Sequence, residues 1–158
     1  MQTSEALLRI RKTAEYQFGR GVGEVLFPDS VTVAFSKKTG RVRHVFLDDK
    51  LLGTLRPTDG MFSLTIQGAK RIAAHSKVLR HWVRVDDDVV SFIAEGRSVF
   101  AKHVTDADVE IRPMEEVIVL DGKGGILAVG RAVLTGPEMK AFRRGVAVKV
   151  RRGVKEES

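Results

Sequence analysis

A chain of 158 residues with 43% hydrophobic and 30% charged residues has the balance of a folded protein, not a disordered one, and is long enough for one domain or two small ones. It has no cysteine, which excludes disulfides, iron–sulfur clusters and cysteine-zinc sites, and no apolar run near the roughly 20 residues that span a bilayer. The formal net charge of +7 and a pI near 10.0 favour a polyanionic partner without choosing between nucleic acid and a membrane surface.

The first residues show no signal-peptide pattern, so a cytoplasmic location is the default expectation. Ser4 is placed to cap a helix with Glu5 in its first turn. Leu7, Ile10, Ala14 and Phe18 then form an apolar stripe at near-helical spacing, and Gly19 stops it. After Gly19, Gly21 and Gly23 the period changes. Strands are predicted at 31–35, 42–47, 51–55 and 61–66, separated by turns at 37–40, 48–50 and 57–60. Residues 67–75 read as a helix with Ala69, Ile72 and Ala73 on one side. An antiparallel sheet with helices makes an α+β layer at 1–78, with the junction at Ser76, Lys77 and Val78.

A second unit, 79–158, opens with a strand at 82–85. A short helix at 89–94 stops at Gly96. A strand follows through Ser98, Phe100 and Lys102, whose alternation puts these three on one face. A hairpin joins 117–120 to 126–134 around Asp121–Gly125. Pro137 sits near the start of a short helix ending at Phe142, and a last strand begins at Val146. Many short strands with small helices suggest a small mixed β-barrel. Only the tail, Lys155 to Ser158, reads as loose.

Candidate chemistry is sparse. Gly19-x-Gly21-x-Gly23 lacks the strand before and helix after that a dinucleotide loop needs, and reads as a chain bend. Gly122-Lys123-Gly124-Gly125 lies between two strands and reads as a hairpin turn. The histidines 44, 75, 81 and 103 are not at metal-ligand spacing and read as surface or boundary residues. Asp86-Asp87-Asp88 could hold magnesium, but three acids before an apolar run also make an ordinary helix start, which is the reading preferred here. No serine carries an accompanying acid–base set. No catalytic residue, metal site or cofactor is expected, and the chain is not expected to be an enzyme by itself.

The charge distribution says more. Met139 to Lys155 holds Lys140, Arg143, Arg144, Lys149, Arg151, Arg152 and Lys155 with no acid, while acids collect at 86–88, 106–110 and 115–116. Cations and small residues are what an RNA strand needs from a protein surface. Gly96, Arg97 and Ser98 offer a bare backbone, a guanidinium and a hydroxyl in sequence. Phe100 reads as core or as a stacking ring. Lys149 and Arg151 alternate with Val148 and Val150, which points the two cations to solvent.

Two stretches carry a family resemblance. Glu95-Gly96-Arg97-Ser98-Val99-Phe100-Ala101-Lys102, Ile111-Arg112-Pro113-Met114-Glu115-Glu116-Val117-Ile118-Val119, Ala128-Val129-Gly130-Arg131-Ala132 and Gly145-Val146-Ala147-Val148-Lys149-Val150-Arg151 resemble, in this order, a PUA domain, an RNA-binding module. Leu8-Arg9-Ile10-Arg11, Tyr16 to Gly21, Ser36 to Arg41, Leu55 to Gly60 and Leu64 to Ala69 resemble the domain before the PUA module at the C-terminal end of archaeal archaeosine tRNA-guanine transglycosylases. That family exchanges a guanine in the tRNA D-loop. The resemblance implies that its C-terminal domains hold the tRNA, the PUA module gripping the acceptor stem and 3′ CCA end, and it implies nothing catalytic here. It places RNA binding on Gly96, Arg97, Ser98, Phe100, Lys102, Lys149 and Arg151. The expected partner is RNA, foremost tRNA, with a separate tRNA-modifying catalytic protein as a further partner. Binding of ribosomal RNA in ribosome assembly, or a protein-interaction role, are the alternatives.

Overall fold

The computed structural model describes residues 3–75 and 79–156. The junction at Ser76–Val78 and the final Glu157 and Ser158 lie outside them. The chain forms two compact units, Met1–Leu79 and Arg80–Ser158.

In the first unit, α1 (Thr3–Phe18) buries Ile10, Ala14 and Phe18 of the expected stripe, with Ala6 in place of Leu7, which is only partly buried. A helix not expected from the sequence follows, α2 (Val22–Leu26). Gly21, at φ 86, turns the chain into it. The Glu15 carboxylate accepts hydrogen bonds from the Gly21 N–H at 2.8 Å and from the Gly23 N–H. A side chain of this chain thus occupies the amides that a phosphate would need. Then come β1 (Thr32–Phe35), β2 (Val42–Leu47), β3 (Lys50–Leu55) and β4 (Phe62–Leu64), an antiparallel sheet in sequence order. The helix α3 (Ile66–His75) buries Ile66, Ala69 and Ile72. Buried Gln17 on α1 holds both backbone groups of Phe62, donating to its carbonyl and accepting from its N–H, each at 2.8 Å. This fixes α1 to β4.

The second unit contains β5 (Trp82–Val85), α4 (Val90–Ala94), β6 (Val99–Phe100), β7 (Val104–Ala107), β8 (Glu116–Leu120), β9 (Ile126–Ala132), α5 (Gly136–Ala141) and β10 (Val146–Gly153). The sheet order is β6-β10-β9-β8-β5-β7, with β5 and β8 parallel and the other pairs antiparallel. The two outer strands, β6 and β7, are joined by one turn at 101–103, so the sheet curls into a nearly closed mixed barrel. Val83, Val99, Val117, Val119, Ala128, Val148 and Met139 fill its interior. Thr135 and Glu138 form a reciprocal cap that starts α5, with Pro137 in the first turn. Of the tail expected to be loose, Lys155 and Glu156 lie in a 3-10 turn (Val154–Glu156), with the Glu156 carboxylate accepting from the Gly153 N–H; the rest of it lies outside the described residues. Among the described residues, no helix is long and apolar enough to cross a membrane.

Strand β7 was hidden by Asp106 and the acids just after it. Asp106 lies on it and meets Lys140 of α5 at 3.3 Å. The Ala107 backbone N–H, then the Lys140 ammonium, hold the Asp106 carboxyl below its ordinary value of 3.8. A carboxyl lowered in the folded state contributes stability that is present above the unfolded pKa and lost as pH falls through the folded one. The Tm gap between wild type and Asp106→Asn should therefore be open at neutral pH and close as the pH drops below 3.8. A gap that persists in acid would exclude this linkage.

Candidate nucleic-acid interface

The residues that end α4 and begin β6 are held by their own backbone. Asp86 caps the preceding turn, accepting from the Asp88 N–H at 3.1 Å, and its other oxygen meets His103 Nδ1 at 3.3 Å. The three acids at 86–88 therefore begin a helical turn. Gly96 takes φ 105, a conformation that suits glycine. A side chain there would also collide with the carboxylate of Glu156, which accepts from the Gly153 N–H at 2.7 Å. The bare backbone expected at Gly96 is thus covered on that side by the C-terminal turn. Ser98 Oγ accepts from the Val150 N–H at 3.2 Å, tying β6 to β10.

The expected single face of Ser98, Phe100 and Lys102 does not form. β6 lasts two residues, and Ala101–His103 coils into a 3-10 turn, which ends the two-residue alternation. Lys102 is exposed but not in strand register with Phe100. Phe100, which the sequence left between core and stacking, is 48% exposed. It lines a surface groove of about 420 Å³ together with Phe92, Arg97, Ser98 and His103. Phe92 is 51% exposed, and the Arg97 guanidinium lies 5.8 Å from its ring centre, within cation–π range. Two half-exposed rings, the Arg97 guanidinium and His103 line, together with Asp88, a groove that can stack bases and meet a phosphate. Sequence reasoning missed Phe92 and His103. Phe92 was read with its apolar run, although only Ile93 and Ala94 of α4 are buried. A helical count along 90–94 would have turned Phe92 outward.

Strand β10 carries the basic face. Lys149 is exposed and pairs in register with Arg131 of β9, which pairs with Glu116 of β8. A bulge between Val150 and Arg152 inserts Arg151. Its guanidinium reaches over β9 to bind both oxygens of Glu116, one at 3.0 Å. The Glu116 side chain is fully buried and that of Arg151 is 38% exposed. Arg151, expected as a solvent-facing cation, is thus the partner of a buried acid. Lys140 is paired with Asp106, and the remaining cations of the basic stretch, Arg143, Arg144, Lys149, Arg152 and Lys155, are exposed. His81, expected at the surface or boundary, is buried and takes φ 56. Among the described residues, no cluster of His, Asp or Glu is arranged to hold a metal ion.

Known proteins match both units. Residues 8–78 match the family described as the patch-forming domain C2 of tRNA-guanine transglycosylase, and residues 81–154 match the PUA domain. The tRNA-guanine(15) transglycosylase of Thermococcus kodakarensis is 44% identical over 98% of this chain, which covers 26% of that enzyme. The enzyme of Methanothermobacter thermautotrophicus is 39% identical over 96% of this chain, which covers 23% of it. The chain thus spans about a quarter of the length of the curated relatives it matches. Among solved structures, a hypothetical protein from Pyrococcus horikoshii superposes with a TM-score of 0.78 at 26% identity, covering 99% of this chain and 94% of that one. A PUA domain protein from Thermoplasma acidophilum gives 0.70 at 21% identity over 99% and 93%, a likeness of fold. The chain belongs to the PUA domain proteins in which the C2 domain of tRNA-guanine transglycosylase precedes the PUA domain.

Proposed function

We propose that this chain binds RNA, that the ligand is tRNA held at its acceptor stem and 3′ end, and that it serves as a non-catalytic partner in tRNA modification in the cytoplasm. The observation that carries the reading is the groove between Phe92 and Phe100, beside the basic face of β10, in a PUA domain. The neighbouring C2 domain, shared with tRNA-guanine(15) transglycosylases, supports tRNA as the class of RNA. In this reading Phe92, Arg97, Phe100, Lys102 and Lys149 touch the RNA. Gly96, Ser98 and Arg151 shape the backbone beneath them. Catalysis comes from a separate modifying protein.

Binding through several phosphates should weaken by orders of magnitude between about 50 and 200 mM salt. Intact tRNA should bind more tightly than tRNA trimmed of its CCA end in a fluorescence titration at fixed salt. Equal affinity for the two would remove the 3′-end assignment. Sequencing of RNA crosslinked to the protein in its own cells should return tRNA, whereas recovery of ribosomal RNA alone would replace tRNA as the ligand.

A further inference from the structure

The first unit carries a second groove, which the resemblance does not assign. The β1–β2 and β3–β4 connections are the same turn made twice. In one, the Ser36 N–H donates to the Arg41 carbonyl at 2.7 Å and the Gly40 N–H to the Ser36 carbonyl at 2.9 Å. In the other, the Arg56 N–H donates to the Met61 carbonyl at 2.8 Å and the Gly60 N–H to the Arg56 carbonyl at 2.9 Å. Gly40 and Gly60 have φ of 71 and 72. Because β2 and β3 are antiparallel neighbours, with His44 opposite Thr54, the two tips stand side by side at one end of the sheet. A cavity of about 310 Å³ lies between them.

The chemistry of that cavity is divided. Val42, Leu55 and Pro57 give it an apolar floor, while Lys38 and Arg41 stand on its rim. Residues 36–43 contain four cations and no acid. The Arg43 guanidinium is turned to the Leu55 carbonyl at 3.0 Å, and Arg56 is bound to Asp59 at 2.9 Å. Among the described residues, Lys38 and Arg41 are in no ion pair. The volume lies at the small end of ligand sites, near that of one nucleotide. Unpaired cations for a phosphate are what a single-stranded nucleic acid needs from a groove, and the apolar floor, which has no aromatic ring, offers packing to a base or ribose in place of stacking.

We propose that this groove seats one unpaired nucleotide of a bound RNA, its phosphate on Lys38 and Arg41 and its base or ribose against Val42, Leu55 and Pro57. The inference extends the RNA-binding reading to a second site in the other unit. Its test is an NMR titration of the full chain with an oligouridylate of about eight nucleotides, within the usual site size of single-strand binders, and with a blunt RNA duplex as comparison. The amides of 36–43 and 55–60 should shift with the single strand and not with the duplex. In Lys38→Glu/Arg41→Glu these shifts should vanish while the fold stays intact, since both residues are exposed. The slope of log K against log salt should fall by about 1.4, two contacts at about 0.7 each.

Binding of the single strand without shifts at the two tips would overturn the proposal. So would shifts that survive the double substitution, or shifts as large with the duplex. The same titration on Phe100→Ala separates this site from the other. Loss of signals around Phe92 and Lys102 with the tip signals retained supports two independent sites. Tip signals lost in Phe100→Ala as well would overturn an independent site in the first unit.

Discussion

Arg151→Glu is expected to lower the stability of the PUA domain strongly, which confounds what it reports about RNA. Glu116 lies on β8 with its side chain fully buried, and Arg151 reaches across β9 to neutralise it. Removing one partner of a fully buried ion pair costs about 3–5 kcal/mol; the Arg151 side chain is 38% exposed, so the loss here should be about 2 kcal/mol or more. Glutamate at 151 also adds a second carboxylate beside the first, which acts in the same direction. For a domain of this size, 1 kcal/mol moves Tm by about 4–8 °C, so the fall should be at least about 8 °C. Lys149→Glu, two residues away on the same strand but exposed, should change stability by less than about 0.5 kcal/mol. Glu116→Leu with Arg151→Met should recover most of the loss, because an apolar pair of similar volume replaces a buried ion pair at little cost. Thermal and urea unfolding of the four proteins checks this, and an unchanged Tm in Arg151→Glu would show that Glu116 does not depend on it. The consequence for function is direct. Lys149→Glu, not Arg151→Glu, tests the basic face.

The Arg151–Glu116 pair also shows where sequence reading stops. The two residues are 35 apart, and the bulge that aims Arg151 is a register shift which no local pattern announces. Alternation put Lys149 and Arg151 on the solvent side, where both are exposed, and missed that Arg151 also reaches Glu116. Elements with a clear period were legible: the stripe of α1, the four strands of the first sheet and the β8–β9 hairpin all form near their expected places. Segments whose composition opposed their structure were not. The glycines 19, 21 and 23 concealed α2, because the helix is fixed by the Glu15 carboxylate and by close packing of Gly23 on the Arg11 carbonyl. Asp106 in Val104–Ala107 and the acids that follow it concealed β7, which is stabilised by pairing with β5 and by Lys140. The candidate site was legible in place and not in detail. Gly96 to Lys102 does border the groove, but backbone hydrogen bonds take Ser98, a turn removes Lys102 from the strand, and a neighbouring helix supplies Phe92.

Phe100→Ala and Phe92→Ala are each expected to lower RNA affinity about five- to 150-fold, the effect of losing one base-stacking platform worth about 1–3 kcal/mol. Both rings are half exposed, so truncation opens no core cavity and the Tm should hold within a few degrees. Stacking and charge leave different signatures. Losing a ring lowers affinity at every salt concentration and leaves the slope of log K against log salt unchanged. Losing the Lys149 contact lowers that slope by about 1. Phe100→Tyr keeps the ring face and should bind like wild type, whereas Phe100→Leu keeps apolar bulk without it and should bind like the alanine variant. Wild-type affinity in both alanine variants, beside a reduced slope in Lys149→Glu, would move the RNA off the groove and onto the β10 face alone. Loss in Phe100→Ala with recovery in Phe100→Leu would make the contact one of apolar packing instead of base stacking.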